Sequence, residues 1–247
     1  HDHLGHGKTA KTPEDWGYFA DGESPEILIG DMNKLRTLSQ EPDKPYFMLG
    51  HSMGSYLLRR YLSVYGGGLS GAVIMGTGAN PDAVAKLGMA VCKAIAAFKG
   101  WKYRSPFMEK LFFSGDFQKF DMDGTHPENS WLTKDTEIVR FYYSEPRCTF
   151  KFTLKAYYDF LKTVYYVNRK ENVEKIPKDL PILMVAGDCD PVGEFGKAVK
   201  RVYEMYKAAG INDVTLKLYE NDRHEILNET DKERVFDDIF NWCESRQ

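Results

Sequence analysis

The feature that most constrains this chain is the stretch Tyr46-Phe47-Met48-Leu49-Gly50-His51-Ser52-Met53-Gly54-Ser55. Four apolar residues read as a buried strand, G-x-S-x-G follows, and a helical pattern begins at once. That order describes a nucleophile elbow, a sharp strand-to-helix turn that lifts its serine clear of both elements. Gly50 and Gly54 are expected to remove side chains that would clash where strand and helix meet. The turn also aims the helix N-terminus, and with it the Met53 amide, at charge developing on a carbonyl oxygen under attack. A glycine-flanked turn with a solvated serine is the plainer reading. The strand before the motif and the helix after it weigh against that reading.

After Ser52, residues Leu57, Leu58, Tyr61, Leu62 and Tyr65 recur at helical spacing until Gly66, Gly67 and Gly68 stop the helix. Gly71 to Gly76, with Val73, Ile74 and Met75 at its centre, reads as a short buried strand. Strand, helix and strand in that order make a right-handed crossover in a parallel sheet. Upstream, Ser24 to Gln40 places Leu28, Met32, Leu35 and Leu38 on one helical stripe, with Ser24 as N-cap and Pro25 as first helical residue. This helix should cover the sheet just before the elbow strand. Downstream, Pro181 to Ala186 is an apolar strand, followed by a helix with Phe195, Val199, Val202 and Tyr206 on one side. Val214, Leu216 and Leu218 alternate as the next strand, and Phe236, Ile239, Phe240 and Cys243 mark a closing helix. The fold class is therefore α/β, a mostly parallel sheet flanked by helices.

Residues 78–178 break the alternation. They carry helical patterns, Leu87, Val91, Ala94, Ile95 and Phe98 first and Tyr157, Phe160, Leu161, Val164 and Tyr165 later, but no convincing parallel strand. Many of the aromatics fall here, among them Phe107, Phe112, Phe113, Phe117, Phe120, Trp131, Phe141, Tyr142, Tyr143, Phe150 and Phe152. The chain thus divides into a core segment 1–77 bearing the elbow, a helical cap 78–178 over the end of the sheet where Ser52 emerges, and a second core segment 179–247. A cap this apolar favours a substrate with a hydrocarbon part.

At 247 residues the chain suits one large α/β domain or a domain carrying an insertion. A net charge of -3 with scattered cations, such as Lys197, Lys200 and Arg201 on one helix, gives no reason to expect nucleic acid. No apolar run approaches the length of a membrane span, and none reads as a secretory leader. Cys92, Cys148, Cys189 and Cys243 lie far apart, without metal or redox spacing, and read as reduced thiols of a cytoplasmic protein. The opening His1-Asp2-His3-Leu4-Gly5-His6-Gly7 invites a metal reading, but its two glycines and the following Lys8 and Thr9 describe a tight loop. Neither metal nor organic cofactor is expected.

A serine nucleophile needs a base and an acid, and an α/β-hydrolase order places the acid after a later strand and the histidine after the last strand. Pro181 to Ala186 runs into Gly187-Asp188-Cys189-Asp190-Pro191, and Val214 to Tyr219 runs into Glu220-Asn221-Asp222-Arg223-His224. His224 sits in a loop and is the candidate base. Asp188 and Asp190 compete for the acid role, since an aspartate here can also serve a turn or a helix cap.

These pieces resemble the α/β-hydrolase superfamily, and within it the serine aminopeptidase group that includes monoacylglycerol lipases and lysophospholipases. The matching motifs are Asp2-His3-Leu4-Gly5-His6-Gly7, Gly50-His51-Ser52-Met53-Gly54, Gly187-Asp188-Cys189-Asp190 and Tyr219-Glu220-Asn221-Asp222-Arg223-His224, in order across the chain. The resemblance implies that the Asp2 loop is structural and that Asp190, the second aspartate of its turn, is the triad acid beside Ser52 and His224. It also implies that about four N-terminal strands, and the loop carrying a second oxyanion donor, precede the Asp2 turn in the family and are lacking here. Tyr46 to Leu49 should then lie at an exposed apolar edge. A chain lacking that donor is expected to fold poorly and turn over on the order of 100- to 1000-fold more slowly. The implied activity is hydrolysis of a small acyl ester or lipid-like substrate through an acyl-enzyme, with no nucleic-acid partner. Two alternatives remain: an aminopeptidase using Glu109, Asp116, Asp121 or Asp123 to hold the substrate amine, and an inactive chain that only binds acyl ligands.

Overall fold

A strand covered by helices on both faces is apolar throughout, and two of the four strands meet that condition completely. β1 (Phe47–His51), β2 (Gly71–Met75), β3 (Ile182–Gly187) and β4 (Val214–Tyr219) run parallel in the order β1-β2-β3-β4. All of β2 and β3 is buried. The structure, a computed structural model, describes residues 1–246. Around the sheet lie α1 (Ser24–Ser39), α2 (Met53–Tyr65), α3 (Asp82–Lys99), α4 (Pro106–Phe112), α5 (Thr136–Ser144), α6 (Pro146–Thr149), α7 (Leu154–Val167), α8 (Lys170–Val173), α9 (Lys197–Ala208) and α10 (Lys232–Glu244).

Alternation along the strands splits the core in two. Ala72, Ile74, Ile182, Met184 and Ala186 face one layer with Leu28 and Met32 of α1, Leu58 and Leu62 of α2, and Val199 and Val202 of α9. Val73, Met75, Leu183 and Val185 face the other with Val235 and Trp242 of α10. β1 is the edge strand: only Gly50 of it is buried, and Leu49 is 47% exposed. The apolar edge expected at Tyr46 to Leu49 is therefore present, whereas a strand buried on both sides is not.

Residues 78–178 supply α3 to α8 and no strand of the sheet. Ala85, Cys92 and Ala96 of α3 form a separate cluster with Met108, Leu154, Tyr157 and Leu161.

Three helical stripes are displaced from their expected faces. In α1 the buried residues are Ser24, Pro25, Leu28, Ile29, Met32 and Arg36, while Leu35 and Leu38 are exposed. Ser24 is inside this helix rather than its N-cap, a place taken by Glu23, and its hydroxyl donates to Ala20 O at 3.0 Å. In α10 the protected side is Val235, Ile239, Trp242 and Cys243, with Phe236 and Phe240 exposed. Phe195 precedes α9 in a turn at φ 55° instead of lying on the helix. In α3 the expected stripe is split: Leu87 is 65% and Phe98 90% exposed, Val91 and Ile95 are half-buried against the inner cluster, and the fully buried side is Ala85, Gly88, Cys92 and Ala96. A half-buried helix tolerates a wide apolar arc, so large residues at its margin do not mark its centre.

Arg59 of α2 holds the layers together without an acidic partner among the described residues. Its guanidinium, 1% exposed, donates to Thr77 Oγ1 (3.1 Å) and Gly78 O (2.8 Å) after β2, and to Val167 O (3.2 Å) and Asn168 Oδ1 (2.8 Å) after α7. Removing the donors strands buried carbonyls, each at a cost of about 1–3 kcal/mol. Arg59→Met should therefore lower unfolding stability by roughly 3 kcal/mol, read from urea unfolding; an unchanged midpoint would show that water replaces the guanidinium at no cost.

Candidate active site

Parallel strands end on the same side, so the loops after β1, β2, β3 and β4 converge at one end of the sheet. They bring Ser52, Gly76, Asp190 and His224 to that end. Ser52 sits at φ 53° and ψ -124°, a conformation costing about 1–3 kcal/mol that persists only where its surroundings impose it. Its N–H donates to Met75 O (3.1 Å), and its carbonyl accepts from Ser55 N (2.8 Å) and Ser55 Oγ (2.6 Å). Gly50 makes this turn possible, because a Cβ there would lie 2.4 Å from Gly54 O and 2.9 Å from Leu58 Cβ. Gly54 has no such role: a Cβ there would meet no heavy atom within 4 Å. The expected clash is thus confined to Gly50. Met53 begins α2, so its N–H has no acceptor within the helix.

His224 Nδ1 lies 2.9 Å from Asp190 Oδ2, with both side chains almost fully buried. The other carboxylate oxygen of Asp190 accepts from Val192 N at 2.8 Å. A carboxylate only accepts, so the bridging proton sits on Nδ1 and neutral His224 keeps its lone pair on Nε2. That Nε2 is buried without a hydrogen-bond partner. Among the described residues Ser52 Oγ makes no hydrogen bond either, so the structure joins acid to histidine but not histidine to serine. Such contacts often tighten only when substrate is bound. Asp188, the competing acid, accepts from Asn221 N at 2.8 Å and ties the two turns together.

The imidazole of His224 is enclosed by residues whose roles no local motif announces. Gly76, at φ 58°, leaves room for it, since a Cβ there would lie 3.1 Å from His224 Cε1. His51 stands 4.5 Å away between ring centroids, and its Nε2–H donates to His224 O at 3.0 Å. Desolvation, then the neighbouring His224, pushes the His51 imidazole down to about 4. Trp131 covers the other side at 5.0 Å, and its carbonyl accepts from His224 N at 3.3 Å. Phe113 and Phe117 pack on Trp131 in turn.

Beneath the loop, fully buried Glu229 accepts from Arg223 N (2.8 Å), Lys134 N (3.0 Å) and Thr133 Oγ1 (3.0 Å), clamping the His224 loop to the segment after Trp131. Asp222, Glu229 and Asp231 bring carboxylate oxygens within 4.8 Å of one another. The Lys134 ammonium already occupies that cluster, at 2.7, 3.9 and 3.7 Å from the three. At the chain start Asp2 Oδ2 accepts from Lys8 N at 2.8 Å and His6 packs against Phe19 and Phe150, so these side chains serve the turn. The four acids suggested for an amine substrate all have partners: Glu109 meets Lys151 (2.8 Å), Asp116 meets Lys119 (2.7 Å), Asp121 accepts from Gly124 N (2.7 Å) and Asp123 from Thr125 Oγ1 (2.7 Å). Among the described residues no helix is long and apolar enough to cross a membrane.

Residues 1–231 match the family described as serine aminopeptidase, S33. The chain is similar to a monoacylglycerol lipase of Mycolicibacterium smegmatis, 26% identical over 257 residues that span 99% of this chain and 76% of that protein. It also resembles the crystal structure of a thermostable carboxyl esterase from Bacillus coagulans in complex with glycerol, with TM-score 0.87 and 31% identity over 99% of this chain and 79% of the other. A soluble variant of monoglyceride lipase from Saccharomyces cerevisiae, bound to a substrate analogue, shares the fold at TM-score 0.75 and 22% identity, over 100% of this chain and 76% of the other.

Two outcomes follow from the geometry. Gly54→Ala should fold with the stability of the parent, whereas Gly50→Ala should lose cooperative unfolding or fall well below it in urea midpoint; equal midpoints would remove the steric argument. Below its ordinary value of about 6.5, His51 takes up a proton in the unfolded chain but not in the folded one until pH reaches about 4. Unfolding free energy should therefore fall as pH drops from about 6.5 to about 4, with His3 and His6 adding to the trend because burial lowers them too. His51→Gln should flatten this slope in urea midpoints taken across the window; a variant as steep as the parent would mean that His51 does not contribute.

Proposed function

The chain belongs to the serine aminopeptidase S33 family of α/β-hydrolases, and from that premise we propose that it is a serine esterase acting on monoacylglycerols, lysophospholipids or similar acyl esters. The observation that carries this reading is the buried Asp190–His224 pair, packed against the residue that precedes Ser52. Ser52 Oγ attacks the ester carbonyl and His224 Nε2, otherwise without a partner, receives its proton. Asp190 keeps the imidazole in the required tautomer and stabilises its charged form. The Met53 amide donates to the oxyanion, His224 returns its proton to the departing alcohol, and a water it then activates releases the acid.

Residues 78–178 act in this reading as a cap on a core made of 1–77 and 179–247. Its cluster of Phe113, Phe117 and Trp131 reaches the His224 ring and offers an apolar wall to an acyl chain. The names carried by the esterase and lipase relatives agree with such a substrate. An aminopeptidase would need a carboxylate free to hold the amine, and the pairing of Glu109, Asp116, Asp121 and Asp123 favours the ester.

Hydrolysis of a short-acyl ester, a long-chain monoacylglycerol and an aminoacyl amide tests the proposal, with fluorophosphonate labelling alongside. Both esters should be cleaved and the amide left intact. Ser52→Ala should abolish both label and turnover, and Asp190→Asn should lower kcat by about 10⁴-fold with the fold retained. Cleavage of the amide alone would favour the aminopeptidase, and a folded chain that takes no label would be a ligand-binding protein.

A further inference from the structure

Buried backbone amides need acceptors, so the partners of residues 223–225 reveal what places the His224 ring. Arg223 N–H donates to Glu229 Oε1 (2.8 Å), His224 N–H to Trp131 O (3.3 Å) and Glu225 N–H to Leu132 O (2.7 Å). The sheet accepts none of the three. The Arg223 guanidinium repeats the pattern, donating to Ser130 O, to Thr133 O (3.2 Å) and to Glu128 O (3.0 Å), 90 to 95 positions back in the chain. β4 delivers the loop, but residues 128–134 seat it.

Glu229 joins these two segments, and the mechanism of ester cleavage makes no use of it. Its carboxylate is completely buried: Oε1 serves Arg223 N, while Oε2 serves Lys134 N (3.0 Å) and the Thr133 hydroxyl (3.0 Å). Shortly after it α10 begins, and Val235 and Trp242 of that helix lie in the core, so the carboxylate is anchored from behind. A carboxylate accepts on both oxygens, whereas a glutamine amide accepts on one side and donates from the other. Two N–H groups on separate segments therefore require the acid and not its isostere. Lys134 Nζ, at 3.9 Å, answers the charge.

We propose that Glu229 is a positioning residue for acyl transfer, setting His224 against Ser52 by locking the His224 loop to residues 128–134. It touches neither substrate nor reacting atoms. Asp190 fixes the tautomer of the ring, His51 holds the His224 carbonyl, and Glu229 fixes the backbone from which the ring projects. Proton transfer from Ser52 Oγ to His224 Nε2 depends on that placement, and a displacement of about 1 Å costs on the order of 100-fold in rate. The kinetic consequence rests on the esterase reading; the seating of the loop does not.

Glu229→Gln and Glu229→Asp in the full chain test it, through kcat and KM on a soluble short-acyl ester, the rate of fluorophosphonate labelling, and amide hydrogen exchange. Glu229→Gln should lower kcat and the labelling rate about 100-fold with KM changed less than about threefold. Glu229→Asp keeps both acceptors on a shorter stem and should lose only about tenfold. Exchange in the glutamine variant should quicken across 222–226 and 130–135 while β3 stays as protected as in the parent, which separates a displaced loop from a loosened fold. Parental kcat in the glutamine variant, a raised KM at unchanged kcat, an aspartate variant slower than the glutamine one, or equal loss of protection in β3 overturns the proposal. A parent chain that takes no label refutes the esterase reading alone. Exchange then still decides for or against the seating by Glu229, since unchanged protection across 222–226 overturns it.

Discussion

Ser52 is held in a backbone conformation that an L-residue adopts only under constraint, and the rest of the site depends on that constraint being met. The strain is about 1–3 kcal/mol. Against it stands α2, whose Leu57, Leu58 and Leu62 are almost completely removed from water, each worth roughly 2 kcal/mol. Burial of that one helical face outweighs the strain severalfold. The bond from Ser52 N to Met75 O then locks the turn to the neighbouring strand, so the strained residue is fixed by pairing on one side and by packing on the other.

Parallel topology converts that local device into a site. With the strands in the order β1-β2-β3-β4, the turns bearing Asp190 and His224 come from adjacent strands, and their buried 2.9 Å contact needs only short loops. A loop so short has little packing of its own. Glu229 supplies it by accepting from the backbone of Arg223 on one side and of Lys134 on the other. Burying Glu229 and Asp222 together would be costly were Lys134 and Arg234 not beside them. The same clamp fixes the segment after Trp131 to the His224 loop.

Much of this was legible in the chain because it is local. Apolar runs, the glycines of the elbow and the turn sequences after β3 and β4 each announce themselves within ten residues. The choice between Asp188 and Asp190 was not local, and only a family likeness pointed to the second; in the fold Asp190 meets His224 and Asp188 accepts from Asn221 N. The contact of His51 with His224 and the clamp made by Glu229 are not legible in the sequence, because their partners are distant or invisible without the fold, the His51 contact spanning 173 positions. Gly54 was credited with a steric role on the strength of its motif, yet the space beside it is open.

The same limit explains α3. Hydrophobic pattern weighs residues by size, so Leu87, Val91 and Phe98 define the stripe a reader sees. Close helix packing favours the opposite, small residues that let two backbones approach. Gly88 shows this directly, because a Cβ there would come within 2.7 Å of Leu161 Cδ1. The tight contact with α7 therefore claims the small side, Val91 and Ile95 pack half-buried at its margin, and Leu87 and Phe98 are left outside by geometry rather than by any lack of hydrophobicity.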